Sequence, residues 1–181
     1  MRVNSICVYC ASSETIDDCY HQAAERLGTL MGEQGITLVN GAGNTGLMRA
    51  CTDACLGAGG QAIGIIPTFM IENGGCHTGM TTIIATPDMH SRQEKMASQS
   101  DGAIVLPGGC GTFAELLELI TWRQLGLYRK PLVILNTNGY YDSLLRMLEE
   151  ANTKHFMRPQ KAPLWEVAVT PEEALELIHN S

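Results

Sequence analysis

The sequence predicts an α/β protein built on a doubly wound parallel sheet with helices on both faces, in a single domain spanning residues 1–181. Three observations predict it. Seven short runs rich in Val, Ile and Leu recur along the chain, segments of helical periodicity separate them, and 45% hydrophobic residues are combined with 19 glycines. Near-continuous apolar strands fit burial on both faces, and parallel pairing needs a crossover between strands, which the helical segments supply. One hydrophobic core suffices for roughly 200 residues, so no second domain is expected.

The runs follow one another regularly. Ser5 to Tyr9 leads into Cys10-Ala11-Ser12-Ser13 and a helix that Gly35 is placed to end. Ile36 to Asn40 opens onto Gly41-Ala42-Gly43-Asn44-Thr45-Gly46, and Gln61 to Ile66 onto an irregular stretch, Pro67 to Gly79. Thr81 to Thr86 precedes Asp88-Met89-His90-Ser91-Arg92, where a helix begins near Asp88. Ala103 to Leu106 is followed by Pro107-Gly108-Gly109-Cys110-Gly111-Thr112 and a helix expected from near Phe113. Pro131 to Asn136, a second irregular stretch from Lys154 to Leu164, and Glu166 to Val169 complete the set. Thr170-Pro171-Glu172-Glu173 supplies an N-cap, a proline at N1 and a capping-box carboxylate, placing the last helix start near Pro171. The irregular stretches are candidates for a lid or an edge of the site.

Composition excludes several function classes. A formal net charge of −7 argues against nucleic acid as the main partner, because phosphate-backbone binding needs a basic face. The opening Met1-Arg2-Val3-Asn4-Ser5 lacks the pattern of a signal peptide, and no apolar run approaches the ~18 residues that cross a bilayer, so no membrane partner is expected and the expected location is cytoplasmic. Seven cysteines, an odd number, read as reduced thiols. Cys7 and Cys10 have C-x-x-C spacing and Cys51 and Cys55 lie one helical turn apart, yet no histidine pair completes a zinc pattern; small buried apolar residues are the favoured reading, with no metal site.

In open α/β sheets ligands bind beyond the carboxyl ends of the strands, and four loops carrying unusual residues follow strands one, two, four and five. Gly41, Gly43 and Gly46 satisfy G-x-G-x-x-G, but after the second strand and with no acidic residue to hold a ribose at Ile65-Ile66-Pro67; tight packing is the competing reading. Gly108-Gly109-Cys110-Gly111-Thr112 opens a helix, so its free amides and the helix dipole make a phosphate cradle with the Thr112 hydroxyl as an added donor. Without the Gly-Lys-Ser/Thr ending it suits a monophosphate better than a triphosphate. Thr112-Phe113-Ala114-Glu115 is also a capping box, so Glu115 is either a cap or a reacting group; in a first helical turn its ionised form is favoured, which suits a base or a stabiliser of positive charge. From pattern alone Arg92 reads first as a solvated partner of Glu94 or Asp88 and only then as a functional group, and His90 as a structural histidine or a ligand contact.

The run Pro107-Gly108-Gly109-Cys110-Gly111-Thr112-Phe113-Ala114-Glu115 matches P-G-G-x-G-T-x-x-E, the hallmark of the LONELY GUY phosphoribohydrolases, and the chain resembles that Rossmann-like family along nearly its whole length. Met89-His90-Ser91-Arg92 is similar to the family's M-H-x-R segment; Val8 to Ser13, Gly41 to Met48, Thr121 to Gly126 and Asn138-Gly139-Tyr140-Tyr141 match in order. The resemblance implies cleavage of the base from a purine nucleoside 5′-monophosphate, with Arg92 and Glu115 catalytic and Gly108, Gly109, Gly111 and Thr112 on the phosphate. Ser12, Gly43, Met89 and His90 are the further contacts expected of the substrate. It also implies a homodimer, for which Leu116, Leu117, Ile120 and Trp122 are candidate interface residues, and no cofactor. Two positions depart from the family: Gln93 stands where a lysine follows M-H-x-R, and Thr82 where a glutamate is common. A lysine decarboxylase label, often attached to such proteins, finds no Schiff-base lysine among Lys95, Lys130, Lys154 and Lys161. The alternative function is a nonenzymatic carrier of a phosphorylated ligand, a role that occurs on this fold.

Overall fold

The computed structural model describes residues 3–181; Met1 and Arg2, part of the opening segment read above, lie outside them. The strands are β1 (Ser5–Tyr9), β2 (Thr37–Asn40), β3 (Ala62–Pro67), β4 (Thr82–Thr86), β5 (Gly102–Val105), β6 (Leu132–Leu135) and β7 (Glu166–Ala168). All pair in parallel in one sheet of order β4-β3-β2-β1-β5-β6-β7. Each strand lies within a residue or two of its apolar run, because alternate side chains enter opposite cores. On β1, Ile6 and Val8 face one core while Cys7 and Tyr9 face the other.

The helices are α1 (Asp18–Glu33), α2 (Gly46–Gly57), α3 (Thr68–Glu72), α4 (Met89–Ser98), α5 (Cys110–Gln124), α6 (Asp142–Thr153) and α7 (Pro171–Asn180). Leu27, Leu47 and Leu175 bring α1, α2 and α7 onto the first core, and Met96, Leu116 and Leu148 bring α4, α5 and α6 onto the second. Helices α1 and α2 approach closely at Gly28, where a Cβ would collide with the Cys51 carbonyl. The stretch Pro67 to Gly79 is therefore not wholly irregular: α3 occupies its first part, and the backbone of Cys76 then bridges to Gly43.

Seven cysteines are free. Cys7 and Cys10 lie in opposite cores, so their C-x-x-C spacing does not bring the thiols together as a pair. Burial pushes the Cys7 thiol up to about 12, the behaviour of a small apolar core residue rather than a reactive one. No described helix is long and apolar enough to cross a membrane.

Candidate active site

Strand order reverses between β1 and β5: β2, β3 and β4 lie to one side of β1, and β5, β6 and β7 to the other. At such a point the loops leaving two adjacent strands part in opposite directions and open a crevice. The crevice here encloses about 420 Å³ and is lined by Cys10 to Ser13 after β1, Met48 of α2, Met70 of α3, Met89, Arg92 and Gln93 of α4, and Gly109, Gly111, Thr112, Ala114 and Glu115 around the start of α5.

Arg92 and Glu115 meet at its floor. Arg92 Nη1 donates to Glu115 Oε1 at 2.9 Å and its Nε donates to the Ile65 carbonyl at 3.2 Å, with the two residues only 6% and 8% exposed. Gly41 makes room for the guanidinium, since any Cβ there would collide with Arg92 Nη2. Burial raises the Glu115 carboxyl above the ordinary carboxylate value, and the guanidinium opposes that shift. Two readings from sequence are thereby corrected. Arg92 is a buried partner of Glu115, not a solvated partner of Glu94 or Asp88; Asp88 instead caps α4 by accepting from Ser91 N–H at 2.8 Å. Glu115 is not a capping residue either. Gly109, not Thr112, is the N-cap of α5, so the helix starts three residues before Phe113 and Glu115 is its sixth residue, beyond the first turn and its dipole.

The early start of α5 also sets a row of free amides beside the cleft. The amides of Gly109, Cys110, Gly111 and Thr112 have no acceptor among the described residues, and the first turn of a fifteen-residue helix adds its partial positive charge. Glu115 lies three residues beyond Thr112 on the same face, about 4.5 Å along the axis. Cys10 also touches the cleft, but burial holds its thiol far above the ordinary value, which disfavours the thiolate.

A family model described as possible lysine decarboxylase matches residues 48–178. A probable cytokinin riboside 5′-monophosphate phosphoribohydrolase of Oryza sativa subsp. japonica is 41% identical over 175 residues, 97% of this chain and 70% of that protein. A cytokinin riboside 5′-monophosphate phosphoribohydrolase of Arabidopsis thaliana is 40% identical over 179 residues, 99% of this chain and 81% of its own length. The chain belongs to the LONELY GUY family. Among solved structures, the molybdenum cofactor binding protein of Rippkaea orientalis superposes with a TM-score of 0.74 at 24% identity, over 99% of this chain and 98% of that one, which shows a shared fold.

Against this family background, the cleft collects Arg92, Glu115, Gly109, Gly111, Thr112, Ser12 and Met89 from the expected residues and leaves three outside its lining. His90 is turned away: the helical period that aims Met89 and Arg92 inward sends it to a separate hollow with Asp88, Glu118 and Trp122. Gly43 lies behind the Met48 side chain, and Gly46 packs its backbone on Ser12 and Ser13, so the G-x-G-x-x-G glycines serve close packing. Gly108 sits beneath Thr112, whose side chain occupies the space a Cβ would need. The two LONELY GUY departures also separate. Gln93 lines the cleft, whereas Thr82 begins β4 at the opposite end of the sheet. None of the four lysines lines the cleft, so it does not fit pyridoxal phosphate despite the label of the family model. Sequence reasoning did not name Met48, Met70 or Ala114 as site residues, although Met48 and Ala114 lie within the matching segments and Met70 falls in the stretch marked as a lid.

Proposed function

We propose that this LONELY GUY chain is a phosphoribohydrolase that cleaves the N-glycosidic bond of an adenine or N-substituted adenine nucleoside 5′-monophosphate, yielding free base and ribose 5-phosphate. One observation carries the reading: a buried carboxylate, held by a guanidinium, lies one helical turn from a row of unsatisfied amides in the same cleft. The amides hold the 5′-phosphate and the ribose spans the gap to Glu115. As the C1′–N bond breaks, positive charge grows on the ribose; water delivers its hydroxyl to C1′ and the departing base gains a proton. Glu115 stabilises that charge or activates the water, while Arg92 keeps the carboxylate aimed. The relatives named for cytokinin riboside 5′-monophosphate support the substrate class. Met48, Met70 and Met89 add an adaptable apolar wall that suits a substituent on the base.

A carrier of a phosphorylated ligand needs no carboxylate beside its anion, so burial of the Arg92–Glu115 pair favours the enzyme over the alternative. The protein further acts as a homodimer in this proposal. Leu116 and Ile120 are core residues, but α5 exposes a stripe of Cys110, Ala114, Leu117, Thr121 and Leu125 that begins at the cleft and would seat a second copy. Free thiols support a cytoplasmic location. Chromatography of the products from a panel of nucleosides and their 5′-monophosphates tests the function. AMP or an N-substituted analogue should yield free base and ribose 5-phosphate far faster than adenosine yields adenine; binding without cleavage would overturn the hydrolase in favour of the carrier.

A further inference from the structure

The glycine loop ahead of α5 depends for its shape on donors from the loop after β1 and from the segment before α6. Three successive carbonyls are each held by a different donor: Leu106 O accepts from Tyr141 Oη at 2.7 Å, Pro107 O from the Ala11 amide at 3.1 Å, and Gly108 O from Tyr140 Oη at 2.7 Å. The third bond differs from the others in what it restrains. The Gly108–Gly109 peptide has no Cβ on either side; the space a Cβ would fill is taken by the Thr112 side chain at Gly108 but open at Gly109, and the Tyr140 hydroxyl is the hydrogen bond that holds its carbonyl.

In a planar trans peptide the carbonyl and the following N–H point in opposite directions. Gly109 lines the cleft and Tyr140 does not, so holding Gly108 O toward Tyr140 turns the Gly109 N–H toward the cleft. The reverse orientation would present a carbonyl oxygen to the anion. Tyr140 is itself well supported. Asn138 and Gly139 are consecutive left-handed residues (φ 53° and 69°) that bend the chain after β6, and Asn136 Oδ1 accepts from the Tyr141 amide at 2.7 Å. Edge-on contacts to Tyr20 and Tyr141, with ring centroids 5.8 and 5.0 Å apart, then fix the Tyr140 ring.

We propose that Tyr140 is a positioning residue for the phosphate: its hydroxyl sets the Gly108–Gly109 peptide so that the Gly109 amide points at the anion. The proposal rests on the monophosphate reading of the cleft. Tyr140→Phe removes the hydroxyl and keeps the ring contacts. The KM for AMP should rise about tenfold, the scale of one charge-assisted hydrogen bond, with kcat changed less than about twofold. Calorimetry with inorganic phosphate should show a similar loss of affinity, and the Gly109 amide resonance, which should move on phosphate addition to the parent protein, should lose that response. An unchanged KM with unchanged phosphate affinity would overturn the positioning role, as would a fall in melting temperature with kcat and KM altered together. A parent protein that cleaves AMP but does not bind phosphate at Gly109 would also overturn it while leaving the hydrolase intact. A parent protein that binds phosphate there without cleaving AMP or its N-substituted analogues would instead remove the hydrolase.

Discussion

Two helices of this chain carry threonine followed three residues later by glutamate at or near their starts, and they put the glutamate to opposite uses. At α7 the pattern is a cap: Thr170 Oγ1 accepts from the Glu173 amide at 3.2 Å and Glu173 Oε2 accepts from the Val169 amide at 2.8 Å, with Thr170 exposed and Glu173 half-buried. At α5 the chain turns into the helix at Gly109, one turn earlier, so Thr112 lies inside the first turn and Glu115 faces inward onto Arg92. The spacing is identical. What differs is where the N-cap falls and whether a cation from another helix waits beneath the carboxylate. A glutamate that caps is held by the backbone of its own helix start, whereas Glu115 is buried against a cation beside free helix-start amides.

The largest expected effect comes from removing that cation. Arg92→Ala should lower turnover by about a hundredfold or more, because Glu115 loses the group that holds its charge and aim. It should also cost about 3 kcal/mol of stability in chemical denaturation, the scale for breaking a buried pair. Near-normal turnover would erase the distinction between the two helices. A second effect is on pH. Burial raises the Glu115 carboxyl, so if the ionised form works, activity should fall on acidification at a pH above the ordinary glutamate range of about 4.3. Stability has the opposite sign. A native carboxyl with a raised value binds its proton more tightly than the unfolded chain does, so its contribution is present at low pH and is lost as pH rises through the raised value. Stability of the parent protein relative to Glu115→Gln should therefore decline over the same window in which activity appears. The smallest effect is at the other helix: Thr170→Ala should cost about 1 kcal/mol and leave kcat and KM unaltered.

The sheet was legible because each strand is a short apolar run between loops, and the central strands β1, β2, β5 and β6 are buried on both faces. The α7 start was equally legible, since proline at N1 and two carboxylates in the first turn leave local chemistry in control. At α5 the rule that prefers threonine to glycine as a cap misplaced the start by a turn, and with it the role assigned to Glu115. Local spacing carries no record of Arg92, which arrives from α4 through the space left at Gly41. Motif order brought Arg92, Glu115 and the glycine loop to one crevice, but it could not say which neighbours face it. His90 and Met89 are adjacent in sequence and a helical rotation apart in space, and Thr82 is separated from the cleft by the length of its strand.

The most direct test of the account is the turnover of Glu115→Gln on AMP, measured beside its unfolding free energy. Glutamine can still accept from Arg92 but leaves that buried cation without a counter-charge, so the loss of stability should not exceed the ~3 kcal/mol expected of Arg92→Ala. Turnover should fall by about a hundredfold or more, since the charge facing the ribose is gone. A Glu115→Gln protein that folds as well as its parent and releases adenine at a near-normal rate would contradict a chemical role for the carboxylate.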